Sequence, residues 1–192
     1  MSTRFNVASF GVLGYECNFC DMKKDEIEEI AAQIALYKQH RKTMQFGHFY
    51  RLQAGNVYEW MVVSEDKQDA VGMMLQREVK PNEQYINFRA AGLDANTKYH
   101  FYSMPFKHNV KTFGSLINAV APVHVKQDGL LHNVVAQVYK IDGEVEDAVL
   151  YGDALMGVGK NLKQGFASSG FNDQVRVMTD FASRLYFMEA VE

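Results

Sequence analysis

The hydrophobic period of this chain changes from helical to strand-like near Gln45, and that change limits the folds open to it. From about Met22 to Lys42, Ile27, Ile30, Ala31, Ile34 and Tyr37 recur at helical spacing, with Asp25, Glu28, Glu29, Gln33 and Lys38 on the other side. The spacing predicts one long helix spanning about 30 Å. Asp21 is placed as its N-cap, and Asp25, Glu26, Glu28 and Glu29 suit the positive end of the helix dipole. His40, Arg41 and Lys42 suit the negative end. An amphipathic helix of this length must dock on something.

After Gln45 the pattern shortens to strands. Gln45–Gln53, Val57–Ser64, Ala70–Val79, Tyr85–Ala90 and Thr97–Ser103 are apolar or alternating, and polar turns such as Ala54-Gly55-Asn56 and Pro81-Asn82 separate them. Further strands are expected over Leu130–Ile141, Gln174–Met178 and Phe181–Val191, with a turn or short helix at Gly152–Val158 and a loop over Asn161–Asn172. Strands recurring about every 10 to 15 residues predict an antiparallel sandwich or barrel. Before the helix, RFNVASF (4–10) reads as a short buried strand with Phe5, Val7 and Phe10 as its apolar members. It is too short to form a sheet alone and needs partners elsewhere.

The formal charge of −3, with no block of Lys and Arg, argues against nucleic acid as a partner. No apolar run approaches the roughly 20 residues of a membrane span, and MSTRFNVASF lacks the pattern of a secretory signal, so a cytoplasmic protein is expected.

Among chemistry-bearing residues, Cys17 and Cys20 form a C-x-x-C pair. A structural zinc site needs a second pair or suitably spaced histidines, and a redox motif favours Gly or Pro where Asn18-Phe19 stand. Two reduced, mostly packed thiols are expected. The six histidines, at 40, 48, 100, 108, 124 and 132, are well spread, and each is expected on the surface or on a strand. Glu65-Asp66, Asp94 and Glu144/Glu146/Asp147 are the carboxylates that could act in pairs on a glycosidic bond, but all sit in turn-like segments where acids are solvated. Tyr50, Tyr58, Trp60, Tyr85, Phe88, Tyr99, Phe101 and Tyr102 could stack on sugar rings. Alternation divides them between two faces, so most are expected in the core, with Trp60 as an anchor. Gly157-Val158-Gly159 lacks the rest of a nucleotide fingerprint.

The order of the segments resembles a known family. RFNVASFGVLGYE (4–16) followed by a helix ending YKQHRKTMQFGHFYRL (37–52) is similar to the end of glycoside hydrolase family 36 α-galactosidases. WMVVS (60–64), AGLD (91–94), YGDALM (151–156) and FASRLY (181–186) are similar to segments of that family's C-terminal domain, in the same order across the whole chain. The resemblance implies a mainly β fold: a C-terminal antiparallel β-sandwich over 45–192, preceded by the last strand and helix of a (β/α)8 barrel over 1–44. It implies an enzyme removing terminal α-galactosyl residues from sugars such as melibiose and raffinose, with aspartates in a K-x-D-x-N-type motif and after a C-S-G-G-G-like run. Neither motif occurs here; Lys67-Gln68-Asp69 and Lys126-Gln127-Asp128 lie in turns of the β part.

No catalytic, substrate-binding or metal residue is therefore carried onto this chain, and no cofactor is expected. A chain starting at Met1-Ser2-Thr3 looks like a truncated gene or a fragment. The expected partner is the remainder of a parent enzyme, whose barrel this domain would brace while it takes part in oligomer contacts. The alternative is a stand-alone sugar-binding sandwich using its tyrosines or Trp60. A lone barrel strand exposes hydrogen-bonding edges, so residues 1–20 are expected to dock on the sandwich, pair with another copy or be weakly ordered. Residues 8–15 would lie near the barrel rim.

Overall fold

The structure, a computed structural model, describes residues 2–80, 86–119, 122–163 and 178–192. Its centre is a six-stranded antiparallel sheet. The strands are β1 (His48–Gln53), β2 (Val57–Val63), β3 (Asp69–Gln76), β5 (Lys98–Tyr102), β8 (Asp147–Tyr151) and β10 (Ser183–Val191), in the order β1-β2-β3-β10-β5-β8. Two-stranded sheets pair β4 (Asn87–Phe88) with β9 (Lys160–Asn161) and β6 (Lys107–Asn109) with β7 (Lys140–Asp142). This is the mainly antiparallel β architecture that the short, turn-separated segments predict. Tyr85 and residues 174–177 lie outside the described residues, as does most of the loop expected at 161–172.

The last strand enters the middle of the sheet. β10 pairs with β3 from Ser183↔Leu75 to Glu189↔Asp69, and on its other side with β5 from Phe187↔Tyr102 to Val191↔Lys98. Both faces of these strands are covered, so β3 reads as a nearly continuous apolar run rather than an alternation. One face carries Val57, Met61, Val63, Met74, Phe101, Tyr186 and Met188, sealed by Phe88 of β4, by Leu162 and by Leu155 of α4 (Gly152–Gly157). The other carries Val71, Met73, Leu185 and Phe187, covered by Phe5 and Met44 from a helical layer.

That layer differs from the sequence expectation first at its N-terminal end. Residues 4–10 do not form a strand: Ser2–Ala8 is a helix, α1. It buries Phe5, Asn6 and Ser9, a helical rather than alternating set, and docks on the start of β10. The Thr3 hydroxyl donates to the Phe181 carbonyl at 2.7 Å, and the Asn6 amide donates to the Ser183 hydroxyl at 2.9 Å. Residues 2–8 thus dock on the sheet, as expected, but as a helix rather than a strand.

The long helix, α2 (Lys24–Phe46), extends four residues beyond the predicted end at Lys42. Its buried stripe is Ile30, Gln33, His40, Thr43 and Met44, rotated from the predicted face so that Ala31 and Ile27 are exposed. Gln33 is tolerated there because its amide donates to Glu29 at 2.9 Å and accepts from the Tyr15 hydroxyl at 2.7 Å. Asp21 is not the cap. It lies in a preceding 3-10 turn, and the Glu26 carboxylate accepts from the Lys23 backbone N–H at 3.0 Å.

Leu130–Val138, read as the start of a strand because it is rich in Val, is a helix, α3. It buries only His132 and Ala136, one turn apart, and packs on 3-10 turns over Val110–Ala119. Leu130, Leu131, Val134 and Val138 remain exposed.

Gly72 is required where the second layer meets β3. A Cβ there would lie 2.3 Å from Cζ of Phe88, which is fully buried. Gly72→Ala is expected to lower stability by about 1–3 kcal/mol in urea unfolding, the usual cost of overpacking. The cost should shrink when Phe88 is also replaced by Leu; equal costs in both backgrounds would show that the contact is not the cause.

Candidate functional site

Alternation along each strand assigns every polar side chain of the central sheet to one face. Glu59 has the parity of Val57, Met61 and Val63, so it points into the core beneath the second layer. It is 2% exposed, and its Oε1 has no hydrogen-bond partner. Burial pushes its pKa up to about 7. The signal was present in Val57-Tyr58-Glu59-Trp60-Met61, where an acid occupies an inward position.

On the opposite face, Asp69, Glu189, Tyr102 and His40 converge. Asp69 and Glu189 are directly opposed partners on β3 and β10. His40, 3% exposed, reaches down from α2 with Nδ1 3.3 and 3.4 Å from the two Asp69 oxygens, and its ring lies 4.6 Å from that of Phe187. The Thr43 hydroxyl donates to Asp69, and the Tyr102 hydroxyl donates to Glu189 at 2.7 Å. Burial and the neighbouring Glu189 and Asp69 charges push the Tyr102 phenol well above its ordinary range, so it stays a donor. His40 was expected on the surface or a strand; it is a buried helical residue, as is His132. His108 and His100 are on strands, as expected, while His48 and His124 are exposed.

The acids singled out by sequence divide similarly. Glu65 and Asp66 are exposed in the β2–β3 turn, where the Ser64 hydroxyl and the Gln68 N–H hold Asp66 below its ordinary pKa. Asp94 accepts from the Asn96 N–H at 2.8 Å in a turn. Glu146 is not solvated: it is buried, 2.9 Å from Lys160 Nζ, and its Oε1 accepts from the Lys163 N–H. Glu144 is half-buried between Arg184, at 3.5 Å, and His108, at 3.4 Å. The Arg184 guanidinium also lies 3.8 Å from the centre of the Phe106 ring. Glu144 and Glu146 are each matched to a cation on a neighbouring element, an arrangement that holds loops onto the sheet.

Of the aromatic residues, Phe88, Tyr99 and Phe101 are fully buried core. Trp60 is half-buried and packs edge-on to Phe10 at 5.9 Å, so it anchors the helical layer rather than offering an open ring face. A cleft of about 470 Å³ beside it is lined by Val7, Phe49, Arg51 and Tyr58. Cys17 and Cys20 are unbridged, and both are exposed rather than packed. No described helix is long and apolar enough to cross a membrane.

An antiparallel β domain carrying a docked helical pair has direct counterparts among known proteins. The model of the glycosyl hydrolase family 36 C-terminal domain matches residues 57–188, and the melibiase model matches residues 1–47. The chain belongs to glycosyl hydrolase family 36. It is 35% identical over 102 residues to the α-galactosidase AgaA of Geobacillus stearothermophilus, an alignment covering 52% of this chain and 14% of that protein. It is 34% identical over 100 residues to Mel36A of Lactobacillus acidophilus, covering 51% and 14%. Among solved structures, the α-galactosidase of Lactobacillus brevis superposes with a TM-score of 0.66 at 27% identity, over 100% of this chain and 20% of that one. A Geobacillus stearothermophilus AgaA variant in complex with raffinose gives 0.65 at 26% identity, over 99% and 19%. This chain thus spans about a fifth of the length of the enzymes it superposes on.

Glu59 gives these residues a measurable pH signature. Its folded pKa lies above its ordinary value of 4.5, so the stability it contributes is present below pH 4.5 and is lost as pH rises through about 7. The loss is on the order of 3 kcal/mol. Glu59→Gln is expected to unfold at higher urea than the parent at pH 8 and at nearly the same urea at pH 4.5. A gap between the two proteins that does not change with pH would refute this.

Proposed function

We propose that this chain acts as the C-terminal, supporting region of an α-galactosidase that removes terminal α-galactosyl residues from oligosaccharides such as melibiose and raffinose. Residues 1–44 complete the catalytic barrel in this reading, and residues 45–192 form the domain that braces it. The observation carrying it is the division of the family matches, melibiase over 1–47 and the C-terminal domain over 57–188. Surface chemistry supports it, since Val7, Val12, Phe19, Ile27 and Phe46 of the helical layer are exposed apolar side chains. The stripe of Leu130, Val134 and Val138 on α3 is a second such surface, which we assign to contact with another copy. Exposed, unbridged Cys17 and Cys20 fit a reducing cytoplasm.

The aspartate motifs of the family are not in this sequence; Glu144 and Glu146 are tied to cations, and Asp94 is held in a turn. The purified 192-residue chain is therefore expected to give no turnover of an aryl α-galactoside. It is expected to co-purify with a family 36 catalytic region expressed beside it, and Phe46→Ser should weaken that association at least about tenfold, the loss of one buried aromatic. Hydrolysis by the chain alone, or failure to associate with the catalytic region, would overturn the reading.

A further inference from the structure

We propose that His40, Asp69 and Glu189 form a binding site for a divalent transition-metal ion, such as Zn²⁺, that ties helix α2 to strands β3 and β10. Directly opposed like charges destabilise a sheet. Asp69 and Glu189 are such a pair, and among the described residues neither has a lysine or arginine nitrogen within 4.0 Å. The group facing both is His40, 3% exposed, whose Nδ1 lies 3.3 and 3.4 Å from the two Asp69 oxygens. Ligand atoms of the three residues lie within 4.8 Å of one another.

The His40–Asp69 spacing is that of two ligands of one ion, with a Glu189 oxygen within 4.8 Å of both. Atoms bound at about 2.0–2.1 Å in a tetrahedron lie about 3.3 Å apart, which is the spacing of His40 Nδ1 from the Asp69 carboxylate. The Thr43 and Tyr102 hydroxyls donate to the two carboxylates from outside, as the orienting partners of metal ligands do. One imidazole with two carboxylates suits zinc, cobalt or manganese better than calcium, which takes oxygen ligands alone. A cavity of about 460 Å³, bounded by Thr43, Phe46, Gln68 and Asp69, gives an ion a route to the partly exposed Asp69 side. Every ligand belongs to this chain, so the site is independent of the α-galactosidase reading.

The test uses the full chain with Cys17→Ser and Cys20→Ser, which removes the exposed thiols as competing ligands. After chelator treatment, calorimetric titration with Zn²⁺ is expected to show one equivalent bound per chain, and Tm should rise with free Zn²⁺. Co²⁺ should give visible d–d absorption. Glu189→Gln, at a half-exposed position near a strand end, should lower affinity at least about tenfold while circular dichroism is unchanged. Should His40→Gln fail to fold, the cobalt spectrum of the His40-containing chain still decides. Absence of stoichiometric binding, a Tm indifferent to metal, or affinity unaltered by Glu189→Gln would overturn the site and leave His40 as a hydrogen-bonded helix anchor only.

Discussion

The pairing of β3 with β10 is the constraint on which the rest of the molecule depends. It joins residues 69–75 to residues 183–189, so the central strand gains a neighbour on each side only when distant parts of the chain meet. Closing so long a loop costs only a logarithmic increment in entropy, but the contact is non-local and slow to find. Once made, it covers β3 on both edges and lets both faces of the sheet fill. The helical layer can then settle on Val71, Met73, Leu185 and Phe187, while β4 and α4 close the other face. Neither layer has a platform without this pair.

Filling both faces restricts how far a charge on the central strands can reach solvent, and the two faces answer this differently. Glu59 lies buried on the face of Val57, Met61 and Val63, and desolvation is answered by a raised pKa. Asp69 and Glu189 lie near the end of the sheet, where α2 supplies a histidine and a threonine and β5 supplies a tyrosine. One polar group is accommodated by a proton, and the other pair by hydrogen-bonding side chains from two surrounding elements. This accounts for the continuation of α2 past His40 to Phe46: Thr43 and Met44 in its last turns are buried on the same surface.

How much of this was legible in the sequence follows from which signals were local. The strands at 48–53, 57–63, 69–76, 98–102 and 183–191 carry β-branched and aromatic residues between polar turns, and they were readable. So was the existence of α2. Its rotation was not, because Gln33 is held inward in part by Tyr15, eighteen positions earlier in the chain. The segments at 4–10 and 130–138 were misread for one reason. Phe5 with Val7, and the valines at 134, 135 and 138, carry β propensity, while the buried sets Phe5/Ser9 and His132/Ala136 are spaced by one helical turn. Propensity lost to tertiary docking at both places.

The same distinction applies to the polar groups. Glu59 could have been found by parity within a single strand, since period two is a local rule. The Asp69–Glu189 opposition could not, because it exists only through the register of β10 on β3, and nothing near either residue encodes that register. His40 compounds the difficulty, since at the sequence level it belongs to a basic helix end with Arg41 and Lys42. Those two stay exposed while His40 turns inward, because it is one turn before Thr43 and Met44 on the buried stripe. A titratable residue takes its meaning here from the strand or helix brought against it. In a domain whose central pairing joins residues so far apart in sequence, that information lies in the register and not in any motif.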